Sequence, residues 1–197
     1  GAHPHPASKA GRRADDGTAA ADYDGCPGHG RPDMHQARMT LILRDARPGD
    51  LDFLVRGNVE MARETESIEL DPRLVVPGTR AVLDDPALGR YFLAEADGRP
   101  VGQLMLTYEW SDWRNGVFWW IQSVFVEPRQ RGSGVFSALF RHVHEQARNR
   151  PEVCGLRLYV DRANGRARSV YGHLGLHSTN YDVMETVFRG PASHRED

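Results

Sequence analysis

Ser123-Val124-Phe125-Val126-Glu127-Pro128-Arg129-Gln130-Arg131-Gly132-Ser133-Gly134-Val135-Phe136 is the stretch whose residue types and spacing carry the most chemistry. Pro128 stops an apolar run, a loop with two glycines follows, and an amphipathic pattern begins at Gly134. Glycines let main-chain N–H groups approach an anion closely, and the positive end of the following helix dipole adds to them. Arg131 brings a mobile positive charge. The chemistry suited to this arrangement is the cradling of a pyrophosphate.

Two other phosphate cradles compete for the same residues. A GxxxxGK[ST] loop is excluded, because Lys9 is the only lysine of the chain. A dinucleotide fingerprint would use Gly132 and Gly134, with Asp161 as the ribose-binding acid. Ser137 stands where its third glycine belongs, and the strands before the loop read as hairpins rather than as a parallel run.

The elements that must position this loop are legible from periodicity. Residues 41–44 read as a short strand. Pro48-Gly49-Asp50 opens a helix with Leu51, Leu54, Val55 and Val59 on one face. A second helix is expected over residues 78–84. Strands at 90–96 and 101–110 are joined by Asp97-Gly98, a two-residue hairpin signal. Residues 117–126 form an apolar strand too continuous to be an edge. A helix over 134–148 carries Phe136, Leu139, Phe140, Val143 and Ala147 on one side. A strand at 153–160, a helix at 164–174 closed by Gly175, and a last strand at 182–188 complete the pattern. Three consecutive strands followed by one βαβ crossover indicate an α+β mixed sheet.

A second stretch narrows the reading. Leu156-Arg157-Leu158-Tyr159-Val160 is followed by Asn164-x-x-Ala167-x-x-Val170-Tyr171-x-x-x-Gly175-Leu176. Together with Val124-x-Val126-x-Pro128-x-x-Arg131-Gly132-x-Gly134, this resembles the GNAT superfamily of N-acetyltransferases, over essentially the whole patterned chain. Residues 107–116 are similar to a bacterial-type subgroup of that family. The loop fits the family's Q/R-x-x-G-x-G/A pattern in two registers, Arg129-x-x-Gly132-x-Gly134 and Arg131-x-x-Gly134-x-Phe136. Counting from Pro128 and back from Leu139 favours the second, which puts the bulky Phe136 where the family has Gly or Ala.

The resemblance implies a GNAT fold, with a mostly antiparallel mixed sheet of about six to seven strands and helices on both faces. It implies acetyl-CoA as cosubstrate and transfer of an acetyl group to a primary amine by direct attack, without a metal. Val124, Phe125 and Val126 would present main-chain groups to the pantetheine arm like a partial extra strand. Arg131, Gly132, Ser133, Gly134, Val135 and Phe136 would hold the pyrophosphate. Asn164 would bond the pantetheine or cap the last helix. Tyr171 would be the general acid that protonates the departing thiolate. Glu66 and Glu109 are the leading base candidates, with Glu64 and Asp112 behind them. A non-catalytic acyl-CoA-binding module that senses or scaffolds is the alternative.

Trp110, Trp113, Trp119 and Trp120 fall in one window beside Glu109 and Asp112. Adjacent strand residues face opposite sides, so one of Trp119 and Trp120 should enter the core and the other a cleft, a helix or a partner subunit. Aromatic faces near carboxylates, with further acidic residues on the first helix, suggest a small cationic amine or a peptide amine as acceptor. Core or dimer packing, and homodimer formation with it, is the competing use of such a cluster.

Bulk composition bounds the rest. The formal net charge of −2 argues against nucleic acid or an anionic membrane as partner. No long apolar run or secretory signal is seen, and Cys26 and Cys154 are too few for a disulfide framework, so a cytoplasmic, reduced protein is expected. Cys154 is expected in a buried strand, and His142 and His144 on the surface. Residues 1–38 lack Val, Ile, Leu, Phe and Trp and read as a disordered tail whose start resembles a vector remnant. Residues 39–190 read as the acetyltransferase domain, and 191–197 as a frayed terminus. The scattered tail histidines fit no metal-ligand spacing.

Overall fold

The computed structural model describes residues 40–188. The expectations for residues 1–38 and 191–197 lie outside the described residues.

Along the chain come β1 (Leu41–Asp45), α1 (Leu51–Glu66), α2 (Pro72–Asp84), β2 (Arg90–Ala96), β3 (Arg99–Ser111), β4 (Gly116–Val126), α3 (Val135–Arg148), β5 (Val153–Leu158) and α4 (Gly165–His173). The strands form one sheet in sequence order, with every neighbouring pair antiparallel except β4 and β5. Asp97 and Gly98 turn the β2–β3 hairpin with φ values of 50 and 72°. This positive-φ pair matches the twist of the flanking strands.

α3 packs against all five strands on one face of the sheet. Its Val135, Leu139, Phe140, Val143 and Ala147 bury against Phe92, Ala94, Leu104, Leu106, Trp119 and Ile121. Val135 replaces Phe136 at the buried end of the anticipated stripe. Close approach depends on Gly102, where a Cβ would lie 2.7 Å from Val135. The opposite face carries α1 and α2 over a smaller core of Leu54, Tyr91 and Leu93. A buried amide network ties them down. Gln103 Nε2 donates to Leu54 O at 3.2 Å and to Asn58 Oδ1 at 2.9 Å, while Asn58 Nδ2 donates to Tyr91 Oη at 3.0 Å.

Five expectations need correction. α2 begins at Pro72 rather than near Gly78: Asp71 accepts the Arg73 N–H at 2.8 Å as a cap, and the helix tolerates Pro77 in its interior. Cys154 is exposed, because β5 is an edge strand and its pairing with β4 is irregular there. His142 is half-buried, its ring edge-on to Phe92 at 5.6 Å. The sheet of the described residues has five strands rather than six or seven, and residues 182–188 form no strand. No backbone hydrogen bond joins these residues to a strand among the described residues.

Candidate active site

The parallel pairing of β4 with β5 runs from Val117↔Val153 to Ile121↔Leu158 and ends there, whereas β4 continues to Val126 still bonded to β3. The register against β3 steps from Leu106↔Ile121 to Met105↔Ser123, so Gln122 is an inserted bulge residue. A bulge bends its strand and raises the local twist. β5 meanwhile leads off toward α4. The result is a split in the sheet, along which the main-chain groups on the β5 side of residues 123–126 have no strand neighbour among the described residues. Val124, Phe125 and Val126 are thus placed as an open edge inside the sheet. Their side chains are anchored: Val124 and Val126 pack against the α3 core, and Phe125 meets Phe53 of α1 edge-on at 6.4 Å.

The loop after β4 lies at the end of this split. One 3-10 turn, Pro128–Gln130, precedes Gly132 and Gly134, whose φ values of 82 and 92° suit glycine. A Cβ built on either would meet no atom within 4 Å, so the space in front of the loop is open. The N–H groups of Gly132, Gly134, Val135, Phe136 and Ser137 have no hydrogen-bond partner among the described residues. Unpaired donors at the start of a 14-residue helix form an anion site by geometry and dipole together. Ser133 Oγ instead turns back to Gln130 O at 2.7 Å.

Arg131 is not over this loop. Its Nε donates to Val126 O at 3.0 Å and its Nη2 to Glu64 of α1 at 2.7 Å. Both partners of the ion pair are substantially exposed, so the pair is weak enough to yield to a bound anion. Phe136 stays clear of the loop's mouth, packed between Phe140 and Tyr171 with ring centroids 6.2 and 5.7 Å away. Its bulk supports the Tyr171 ring edge-on. Burial pushes the Tyr171 phenol above its ordinary range, so it keeps its proton at neutral pH. Asn164 caps α4, its Oδ1 accepting the Ala167 N–H at 2.9 Å.

The base candidates are dispersed. Glu109 sits opposite Phe118, three β3 positions from the split or about 10 Å along the strand. It accepts from Arg157 Nη1 at 2.5 Å, and that guanidinium lies 3.9 Å from the Phe118 ring centroid and 5.7 Å from that of Trp120. Glu66 is exposed at the end of α1, before Ser67 in the left-handed region. It makes no ion pair among the described residues. Asp112 accepts the Trp113 N–H at 2.9 Å. Most of the acidic face on the first two helices is internally matched: Glu60 by Arg56, Glu64 by Arg131, Glu69 by Arg63 and Asp71 by Arg73.

Trp119 enters the α3 core and Trp120 faces the other side, 4.7 Å from the Tyr159 ring. Trp110 and Trp113 are exposed. Sequence reasoning missed the Gln122 bulge and the Arg157–Glu109 pair. The bulge leaves no compositional trace, and the ion pair joins residues 48 positions apart.

The model of the Acetyltransferase (GNAT) family matches residues 57–176. A possible acetyltransferase from Clostridium difficile 630 is 37% identical, covers 76% of this chain and 99% of its own, and superposes with a TM-score of 0.72. The integron cassette protein HFX_CASS3, from the mobile metagenome of Cole Harbour Salt Marsh, is 25% identical with a TM-score of 0.66, over 76% of this chain and 91% of its own. The aminoglycoside N-acetyltransferase AAC(6')-Iy, solved in complex with CoA, shares the fold at 15% identity and a TM-score of 0.62, over 77% of this chain and 97% of its own. No curated protein matches the chain.

Proposed function

The chain belongs to the GNAT acetyltransferase family, and from that premise we propose that it moves an acetyl group from acetyl-CoA to a primary amine. The observation that carries the proposal is the split between β4 and β5, which runs into a loop of unpaired N–H groups at the start of α3. A nucleotide diphosphate suits the loop, and an amide-bearing arm suits the open main chain of Val124, Phe125 and Val126. The absence of any atom within 4 Å of a Cβ at Gly132 or Gly134 fits a ligand that approaches the backbone directly.

Acetyl-CoA supplies a thioester that an unprotonated amine attacks directly, leaving a thiolate that needs a proton. In this reading the main-chain N–H groups near Ser123 and Val124 hydrogen-bond the carbonyl oxygen as negative charge develops on it. Tyr171 gives its proton to the sulfur, and the raised pKa of the phenol keeps it charged with that proton across neutral pH. Gly132, Gly134, Val135 and Phe136 hold the diphosphate with main-chain N–H groups on either side of Ser133, and Arg131 leaves Glu64 to join them. Asn164 fixes the start of α4 and thereby the height of Tyr171. Glu66, like Asp112, has no arginine partner among the described residues, and in this reading Glu66 accepts the amine proton with water. Glu109 lines the acceptor side through Arg157. The exposed Trp110 and Trp113 beside Asp112 favour a small cationic amine or a peptide amine there.

Tyr171→Phe tests the reading. Thiol release from acetyl-CoA with a panel of amines should fall about 100-fold or more in kcat, with coenzyme A affinity unchanged by calorimetry. Wild-type protein that binds coenzyme A and acetylates no amine in the panel would instead establish a binding module.

A further inference from the structure

The end of the sheet away from the glycine loop outruns its helix. α3 has 14 residues, about 21 Å, whereas β3 has 13 residues, about 43 Å. The helix stops at Arg148, and beyond it the same face of the sheet forms a cleft of about 410 Å³. Val117 and Trp119 of β4 supply its apolar wall, and Arg90, Tyr108, Arg150 and Glu152 its polar side.

The two arginines are held in place by their surroundings. The Arg150 N–H donates to Ala147 O at 3.1 Å and its carbonyl accepts the Val153 N–H at 3.0 Å, so its main chain is fixed on both sides. Its guanidinium lies 5.5 Å from the Trp119 ring centroid, and that of Arg90 lies 4.9 Å from the Phe92 centroid. Aromatic faces orient a guanidinium without using up its N–H donors. Tyr108 stands edge-on to Trp119, with ring centroids 6.5 Å apart. Burial raises its phenol above the ordinary range and the Arg90 and Arg150 charges act against that, so it keeps a proton to donate at neutral pH.

We propose that this cleft is a second ligand site, for a small organic monocarboxylate with a flat apolar body. The carboxylate is received by Arg150, Arg90 and the Tyr108 hydroxyl, and the body lies along Val117 and Trp119. Two acids face the same groups and set the charge of the ligand. Asp45 accepts from Arg90 Nη2 at 2.7 Å, through one of the five N–H donors of that side chain. Glu152 lies 3.7 Å from Arg150 Nη1, beyond hydrogen-bonding range, with both side chains about half exposed. Such a pair holds its partners weakly and yields to a better-placed carboxylate. With two acids already present, a single negative charge suits the cleft and a phosphate dianion does not. A volume near the lower end of ordinary ligand pockets matches a one-ring compound. Trp119 and Val124 are five strand positions apart, about 16 Å, so the cleft is separate from the coenzyme split. The inference therefore does not depend on the reaction proposed above.

Benzoate and its neutral counterpart benzamide are the probes. In the ¹⁵N-labelled full chain, the Trp119 indole signal is assigned by elimination with Trp110→Phe, Trp113→Phe and Trp120→Phe. Benzoate at millimolar concentration should shift that signal saturably, with benzamide leaving it in place and coenzyme A leaving the titration unchanged. Arg150→Gln should weaken benzoate about tenfold or more. Glu152→Gln should tighten it up to about fivefold, an effect that a purely structural Glu152 would not produce. Both substitutions are at half-exposed positions, so the folded spectrum should be retained. The proposal is overturned by a shift that does not saturate, by equal shifts with benzamide, by competition with coenzyme A, or by benzoate affinity that is the same in Arg150→Gln and the parent protein.

Discussion

Gly57 lies within α1, where alanine would ordinarily be the better residue by about 1 kcal/mol. Here the sign should reverse. A Cβ at Gly57 would lie 2.6 Å from Gln103 Oε1, 2.8 Å from its Cδ and 3.0 Å from its Nε2. The end of a glutamine side chain normally moves aside easily, but Gln103 is fully buried and its Nε2 is bonded to Leu54 O and Asn58 Oδ1. Moving it breaks those bonds inside the protein, at roughly 1–3 kcal/mol for each buried group left unpaired. Set against the helix-propensity gain, Gly57→Ala should destabilise by about 2 kcal/mol, or about 4–8 °C in Tm for a domain of this size. The same substitution in a Gln103→Ala background meets no obstacle and should stabilise by up to about 1 kcal/mol. Urea midpoints for the four proteins of the cycle measure the coupling, expected at about 3 kcal/mol. If Gly57→Ala shifts stability in the same direction in both backgrounds, the packing argument is wrong.

Other outcomes follow from the site and the termini of its elements. Gly134→Ala places a side chain at a φ of 92°, a conformation that costs an L-residue roughly 1–2 kcal/mol. Coenzyme A binding should weaken about tenfold by calorimetry, and unchanged affinity would remove the loop from the site. Glu64→Gln releases Arg131 from an exposed pair worth at most about 1 kcal/mol, so coenzyme A should bind up to roughly fivefold tighter at low salt; weaker binding would show that Arg131 does not reach the phosphates. The Arg44 guanidinium, 2.7 Å from Asp50, holds that carboxyl below its ordinary range. The stabilisation is therefore present above the unfolded value of about 4 and lost as pH falls through the folded one. Asp50→Asn should lower the urea midpoint at pH 7 and leave it nearly unchanged near pH 2, whereas an equal penalty at both would contradict the assignment.

Local devices were readable without a structure because their physics is contained in a few neighbouring residues. Asp97-Gly98 makes a hairpin by tolerating positive φ, and Asn164 caps α4 with an acceptor three residues before the N–H it satisfies. The buried stripe of α3 follows from its period, although the count was off by one residue at Val135. Gly132 and Gly134 announce a loop that can approach an anion. α2 starts at Pro72 rather than at residue 78 because the Asp71 cap outweighs the one hydrogen bond that Pro77 removes from the helix interior.

Residue type and spacing alone determined the class of sheet, the glycine loop before α3 and the tyrosine near the end of α4, since each depends on contacts within a turn or two of helix or strand. Only the tertiary structure decided where β4 leaves β5, that Arg131 rests on Glu64 and Glu109 on Arg157, that Cys154 is exposed, and that residues 182–188 form no strand. These depend on which distant segments become neighbours, and a pattern with period two or 3.6 states which side of an element is apolar without stating what will cover it.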